Sequence, residues 1–108
     1  MDRGVLEKIK NVIYDVAGRY NIEIDRIILF GSRARGDYRE DSDWDILIVT
    51  KKKLDSGLED VFWMEVERRL VYLDIVPEIL IVSRDEFEKY KRPAYVYYYA
   101  EKDGIVIR

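Results

Sequence analysis

The spacing of apolar positions changes from segment to segment along this chain, and each change predicts an element. Val5, Leu6, Ile9, Val12, Ile13, Val16, Ala17 and Tyr20 recur every three or four residues. That period predicts an amphipathic helix over 3–19, with Asp2 as its N-cap. After a turn at Asn21–Asp25, Arg26–Phe30 is an aliphatic run too short for a helix, and Asp45–Val49 is a second; both read as buried strands. Leu58, Val61, Phe62, Val66 and Leu70 return to the helical period over 58–72, with Arg69 at the margin of the stripe. Ile75–Val82 reads as a third strand, and Pro77, which cannot donate to a ladder, belongs at its beginning or at a sheet edge. Ser83 and Glu86 have the spacing of a capping box and open a short helix that runs to Tyr90. Lys91-Arg92-Pro93 breaks it, Ala94–Ala100 gives one or two more helical turns with a tyrosine face, and Asp103-Gly104 turns into Ile105–Ile107 as an edge strand.

The order is helix, strand, strand, helix, strand, helix, helix, strand, which predicts an α+β fold, a small mixed β-sheet covered by helices. A chain of 108 residues can bury one modest core, so residues 1–108 read as a single domain. With 48% of its residues apolar, it carries enough hydrophobic surface to fold.

Charge and composition narrow the chemistry. A formal net charge of -3 argues against a protein that coats nucleic acid by bulk positive charge, so nucleic acid is not an expected partner. Cysteine and histidine are absent, which removes disulfides, thiolate nucleophiles, imidazole bases and the commonest zinc ligands together. An enzyme built from this chain must work with carboxylates, hydroxyls, Arg and Lys. The N-terminal MDRGVLEKIKN is charged throughout and unlike a signal peptide. No run approaches the ~18 apolar residues of a membrane span, so no membrane partner and a cytoplasmic location are expected.

The two central apolar runs bracket a polar loop, FGSRARGDYREDSDWD, and the candidate chemistry lies there. Along an extended strand residues i and i+2 share a face, so Asp43 and Asp45 present carboxylates roughly 6 to 7 Å apart. Two like charges held that close repel, and a divalent cation is the usual relief. At the other end of the loop, Gly31-Ser32 follows directly on a strand, where glycine allows a close backbone approach and the following amides can open toward an anion. Either feature alone is weak, since Gly-Ser pairs are mostly ordinary turns and Asp43 and Asp45 could be solvated acids of a turn. The combination of strand, Gly-Ser, ten residues and Asp-x-Asp leading into an aliphatic strand is far more specific.

In LFGSRARGDYREDSDWDILIV, and above all in Gly31-Ser32-Arg33-Ala34-Arg35-Gly36, the ten-residue spacer and Ser42-Asp43-x-Asp45, the chain resembles the minimal nucleotidyltransferases of the DNA polymerase beta superfamily. The similarity is strong over 26–50 and fainter toward SRDEFEKYKRPAYVYYYAEKDGIVI. The resemblance implies a two-metal nucleotidyl transfer in which Asp43 and Asp45 bind Mg²⁺. It also implies that the turn at Gly31 and Ser32 holds the phosphates of a nucleoside triphosphate, ATP by expectation. A third carboxylate on a neighbouring strand completes such a site. The chain offers Asp74 and Glu78, and Glu78 is preferred because it stands five residues before Ser83 and, set among aliphatics, needs a partner. The other reading of Glu78 is an edge-strand acid facing water. Arg33 could meet phosphate through its guanidinium fork, or pair with Asp37, Glu40 or Asp41. Trp44 points to the opposite face and reads as core. Tyr95, Tyr97, Tyr98 and Tyr99 with Phe62 and Trp63 read either as a partner surface or as the margin of the core.

The resemblance further implies that the acceptor comes from another protein, since short members of the family act as antitoxins toward a small helical HEPN-domain toxin whose tyrosine they adenylylate. A second reading keeps the fold and neutralises that partner by contact alone. A third, transfer to a small molecule such as an aminoglycoside, requires an acceptor pocket that a homo-oligomer would have to build.

Overall fold

The long helical stripes and the aliphatic runs find each other across one sheet. The computed structural model describes residues 3–90, 92, 93 and 95–107, so Asp2, expected as an N-cap, Lys91, expected in the helix break, and Ala94, expected to open the next helical turns, lie outside the described residues. Helix α1 (Arg3–Arg19) is followed by strand β1 (Ile24–Phe30), a five-residue helix α2 (Gly31–Arg35) and strand β2 (Trp44–Thr50). Then come α3 (Ser56–Tyr72), β3 (Pro77–Ser83), α4 (Arg84–Lys89), α5 (Val96–Asp103) and β4 (Ile105–Val106).

The sheet order is β3-β2-β1-β4, with β1 antiparallel to β2 and to β4, and β2 parallel to β3. The expected mixed sheet with helices on it is therefore what forms, and Pro77 stands at the first residue of an outer strand. Alternation along the strands gives two cores. Ile27, Leu29, Trp44, Ile46, Ile48 and Ile79 meet the buried stripes of α1 and α3, including Ile9, Ile13, Phe62, Val66 and Leu70. Ile28, Leu47, Val49 and Val82 meet Phe87 of α4 and Ala100 of α5 on the other face. The result is three layers, with α1 and α3 on one side and α4 and α5 on the other.

Several boundaries shift for local reasons. The Asp55 side chain accepts from Leu58 N at 2.8 Å and caps α3, so the helix begins at Ser56, two residues ahead of the expected 58. Ser83 caps α4 as its spacing predicts, its Oγ accepting from Glu86 N at 3.2 Å. β3 begins two residues later than expected, because Ile75 N donates to Leu70 O to close the turn after α3. The α1 and α3 layer is clipped by charged contacts, with Tyr20 donating to Glu65 Oε2 at 2.7 Å and Arg19 and Arg69 paired to Glu65 and Asp15.

The aromatic side chains do not form one surface. Phe62 is fully buried under α3, whereas Tyr97 packs on Phe87 across the opposite face. Trp63 turns its indole to the outer strand and donates to Ile79 O at 3.3 Å.

Gly104, at the junction of α5 and β4, is a point where a side chain has no room. A Cβ there would meet Ala100 O at 2.0 Å and Ile28 Cγ2 at 2.5 Å. Gly104→Ala is expected to destabilise the fold by about 1–3 kcal/mol through overpacking, read as a lower urea midpoint at unchanged slope.

Candidate active site

The polar loop connects two neighbouring antiparallel strands, and the register decides what faces what. Phe30 pairs with Asp45, so the residue just after β1, Gly31, is set against the start of β2. Gly31 has φ +73°, a left-handed conformation that side chains with a Cβ adopt at a cost. It is also the point of closest approach, since a Cβ built there would lie 2.0 Å from Asp45 Oδ2 and 2.9 Å from its Cγ. The absence of a side chain at 31 is what lets the Asp45 carboxylate lie over the turn.

In the parallel pair, Asp45 stands opposite Glu78. Residues directly opposite share a face, so both carboxylates lie on the side of the sheet covered further along by Leu47, Val49 and Val82. Asp43 precedes Asp45 by two and is exposed, Asp45 is half-buried and Glu78 is exposed. Burial pushes the Asp45 carboxyl above the usual carboxylate range, and Glu78 and then Asp43 push it further, against a smaller opposing pull from Arg35. The charges of Glu78 and Asp43 thus both bear on the Asp45 carboxyl. Asp74, the other candidate for the third acid, sits in the turn after α3 at φ +62°, before β3 begins.

The donor set consists of oxygens alone and carries more negative charge than nearby cations balance, which suits a hard divalent ion such as Mg²⁺. Among the described residues, no group of three or more acidic side chains is drawn together as a ready-made metal cage. Mg²⁺ is commonly held by one or two carboxylates together with substrate phosphates, so a pair of aspartates beside an open turn fits that mode.

Ser32, in the first turn of α2, is half-buried next to Gly31. Arg33, read either as a phosphate contact or as a partner of the loop acids, lies against the loop. Its Nη2 donates to Ser42 O at 3.0 Å and to Glu40 O at 3.1 Å, and its Nε to Ser42 O at 3.3 Å. The guanidinium carbon lies 4.4 Å from the Tyr38 ring centre and 4.5 Å from that of Trp44. Trp44, buried on the α1 and α3 side as expected, thus has a second role that sequence reasoning missed; the only hint was an aromatic residue between the two acids. Arg35 was not foreseen as the cation nearest in effect to Asp45; on the surface it pairs with Asp37 at 3.4 Å.

Comparison with known proteins gives the family. Two relatives from Methanocaldococcus jannaschii, provisionally named protein adenylyltransferases MJ0141 and MJ0604, are 48% identical over 48 residues and 56% identical over 41. Those stretches are 44% and 38% of this chain, and they span only 48% and 41% of the two relatives. Among solved structures, a nucleotidyltransferase from Sulfolobus solfataricus, also provisionally named, superposes with TM-score 0.59 at 25% identity, over 94% of this chain and 78% of that one. A toxin-antitoxin structure with AMP-PNP superposes at TM-score 0.55 and 24% identity, over 91% of this chain and 71% of the other, and shares the fold. The MntA-HpeT toxin-antitoxin mutant shares it at TM-score 0.56 and 17% identity, over the same shares of the two chains. A family model described as "Nucleotidyltransferase domain" matches residues 9–106, nearly the whole chain, and the protein therefore belongs to that family.

Proposed function

We propose that this chain is a Mg²⁺-dependent adenylyltransferase that moves AMP from ATP to an acceptor hydroxyl, a tyrosine of a small helical HEPN-domain toxin, and so serves as an antitoxin. The observation that carries the reading is the placement of Asp45, opposite Glu78, two residues from Asp43 and over the bare Cα of Gly31. The names of the Methanocaldococcus relatives support the adenylyl group, and the toxin-antitoxin assemblies that share the fold support the partner class.

In this reading the acceptor oxygen bonds to the α-phosphorus as the bond from that phosphorus to the α,β-bridging oxygen breaks, and pyrophosphate leaves. Asp43, Asp45 and Glu78 would hold Mg²⁺, which when bound supplies charge stabilisation at the attacking and leaving oxygens. Gly31 and Ser32 would receive the β and γ phosphates through backbone amides and the Ser32 hydroxyl. Glu78, exposed and beside Asp45, is placed to take the proton of the incoming hydroxyl. Arg33 has its fork on loop carbonyls and is left out of the phosphate site in this scheme.

The same exposure of Glu78, with no three-acid cage among the described residues, favours one alternative, an antitoxin that acts by contact alone. Incubation with labelled ATP, Mg²⁺ and a small helical HEPN-domain protein as candidate partner separates the two. Transfer of label to the partner, lost in Asp43→Asn/Asp45→Asn, is the expected result. Neutralisation of the partner without any transfer would instead establish the contact mode.

A further inference from the structure

The segment that delivers Asp43 has almost nothing of its own to hold it. From Gly36 to Asp41 every residue is exposed, and among the described residues its internal bonds amount to a turn in which Arg39 N donates to Ser42 Oγ at 2.9 Å and Ser42 N to Arg39 O at 3.0 Å. No residue of this segment joins either core. At its start Gly36 N donates to Ser32 O at 2.9 Å and Asp37 pairs with Arg35 at 3.4 Å; beyond that point it is tied to the fold by Arg33, reaching from α2 with its guanidinium against the rings of Tyr38 and Trp44 and its fork on the carbonyls of Glu40 and Ser42.

The Ser42 carbonyl belongs to the planar peptide unit that also contains Asp43 N. Holding that oxygen fixes the plane from which the Asp43 Cα projects. Trp44 N, on the far side of Asp43, donates to Val76 O at 2.9 Å. Asp43 is therefore clamped at both flanking peptides, by Arg33 before it and by the approach to β3 after it. Lysine is a poor replacement for the clamp, because its compact ammonium lacks the fork and the planar face with which a guanidinium meets carbonyls and rings together. Arg33 also follows Ser32 directly, so one side chain couples the Gly31-Ser32 turn to the acid pair across the ten-residue spacer.

We propose that Arg33 is the positioning residue of this site. It makes no contact with nucleotide; it orients Asp43 beside Asp45 by holding the Ser42 peptide. The inference rests on the nucleotidyltransferase reading for its functional consequence, and on the clamp itself for the rest. The test compares wild type with Arg33→Ala and Arg33→Lys by three readouts. These are amide exchange over residues 36–43, Mn²⁺ affinity by electron paramagnetic resonance in the presence of a non-hydrolysable ATP analogue, and transfer of label. Arg33→Ala should speed exchange in that segment alone, with protection of the sheet amides unchanged. It should weaken Mn²⁺ binding by about 10- to 100-fold, the usual effect of removing a residue that orients a metal ligand. Added guanidinium should restore Arg33→Ala in part, and Arg33→Lys should remain defective.

Unchanged Mn²⁺ affinity in Arg33→Ala, or full affinity in Arg33→Lys, would overturn the positioning role. If wild type binds no Mn²⁺ with the analogue, the catalytic reading fails and the metal-positioning role fails with it. The exchange readout would then still show whether Arg33 clamps the loop. Should Arg33→Ala lose sheet protection, Tyr38→Leu, which removes one exposed face of the stack, supplies the milder perturbation, and its Mn²⁺ affinity must fall in the same direction for the proposal to stand.

Discussion

Asp45→Asn should yield a protein that folds more stably at neutral pH and transfers no label. The half-buried Asp45 carboxylate is disfavoured first by burial and then by Glu78 and Asp43. A carboxyl whose folded-state pKa lies above its unfolded value binds its proton more readily when folded. The charged form therefore costs stability once the pH rises through that folded pKa, and the cost vanishes below the unfolded value. Asparagine keeps the shape and removes the charge. The midpoint of thermal unfolding should rise by a few degrees at pH 7, and the difference between variant and wild type should close in acid, below about pH 4. Mg²⁺ with a nucleotide analogue should stabilise wild type and leave the variant unmoved. Label transfer should fall by roughly 10³-fold or more, since the lost group acts where charge develops in the transition state. A variant that is less stable than wild type at pH 7 would contradict the electrostatic account, and one that retains transfer would contradict the catalytic one.

Gly31→Ala should damage the site from the other side. The new methyl would sit 2.0 Å from Asp45 Oδ2 and 3.2 Å from its Cβ, and it would occupy a residue at φ +73°. Left-handed backbone costs a residue with a Cβ roughly 1–2 kcal/mol, so stability should drop by about that much. The carboxylate can swing away, which limits the folding penalty and concentrates the harm in function. We expect about 10²-fold less transfer, in keeping with small misplacements of reacting groups. Combining the change with Asp45→Ala separates the two contributions. The clash disappears and the backbone strain stays, so the double variant should be more stable than the sum of the single changes predicts. Strict additivity would show that the two residues do not touch.

The strands were legible because Ile, Leu and Val fill them on both faces, as a sheet covered on both sides requires. Their ends were not. β1 starts at Ile24 instead of Arg26 because Ile24 still pairs with Thr50 across an irregularity in the register, a pairing that local pattern cannot show. Asp43, Asp45 and the Gly31 turn could be singled out by spacing and by family resemblance, and the preference for Glu78 over Asp74 agrees with the β2 and β3 register. Between the two readings of Arg33, phosphate or loop, the sequence offered no choice, because a loop arginine beside a phosphate turn looks the same in sequence whether its fork meets phosphate or backbone carbonyls. Deciding that needed the positions of Tyr38 and Trp44 around it. Of the two readings of the aromatic group, the core reading fits Phe62 and Tyr97, which pack in opposite layers.

The pairing of Asp45 with Glu78 has a consequence for when the site exists at all. One uninterrupted register runs from Trp44 opposite Pro77 to Thr50 opposite Ser83, and it joins Ile46 to Ile79 and Leu47 to Leu80 along the way. Sliding β3 by a single residue would send Glu78 to the α1 and α3 side and aliphatic side chains to the wrong layers. Two mutually repelling acids are thus kept adjacent by hydrophobic neighbours that admit only one alignment. No partly folded form in which β3 is undocked can hold the acids together, so competence for chemistry should appear in the same cooperative step as the core, and be lost with it.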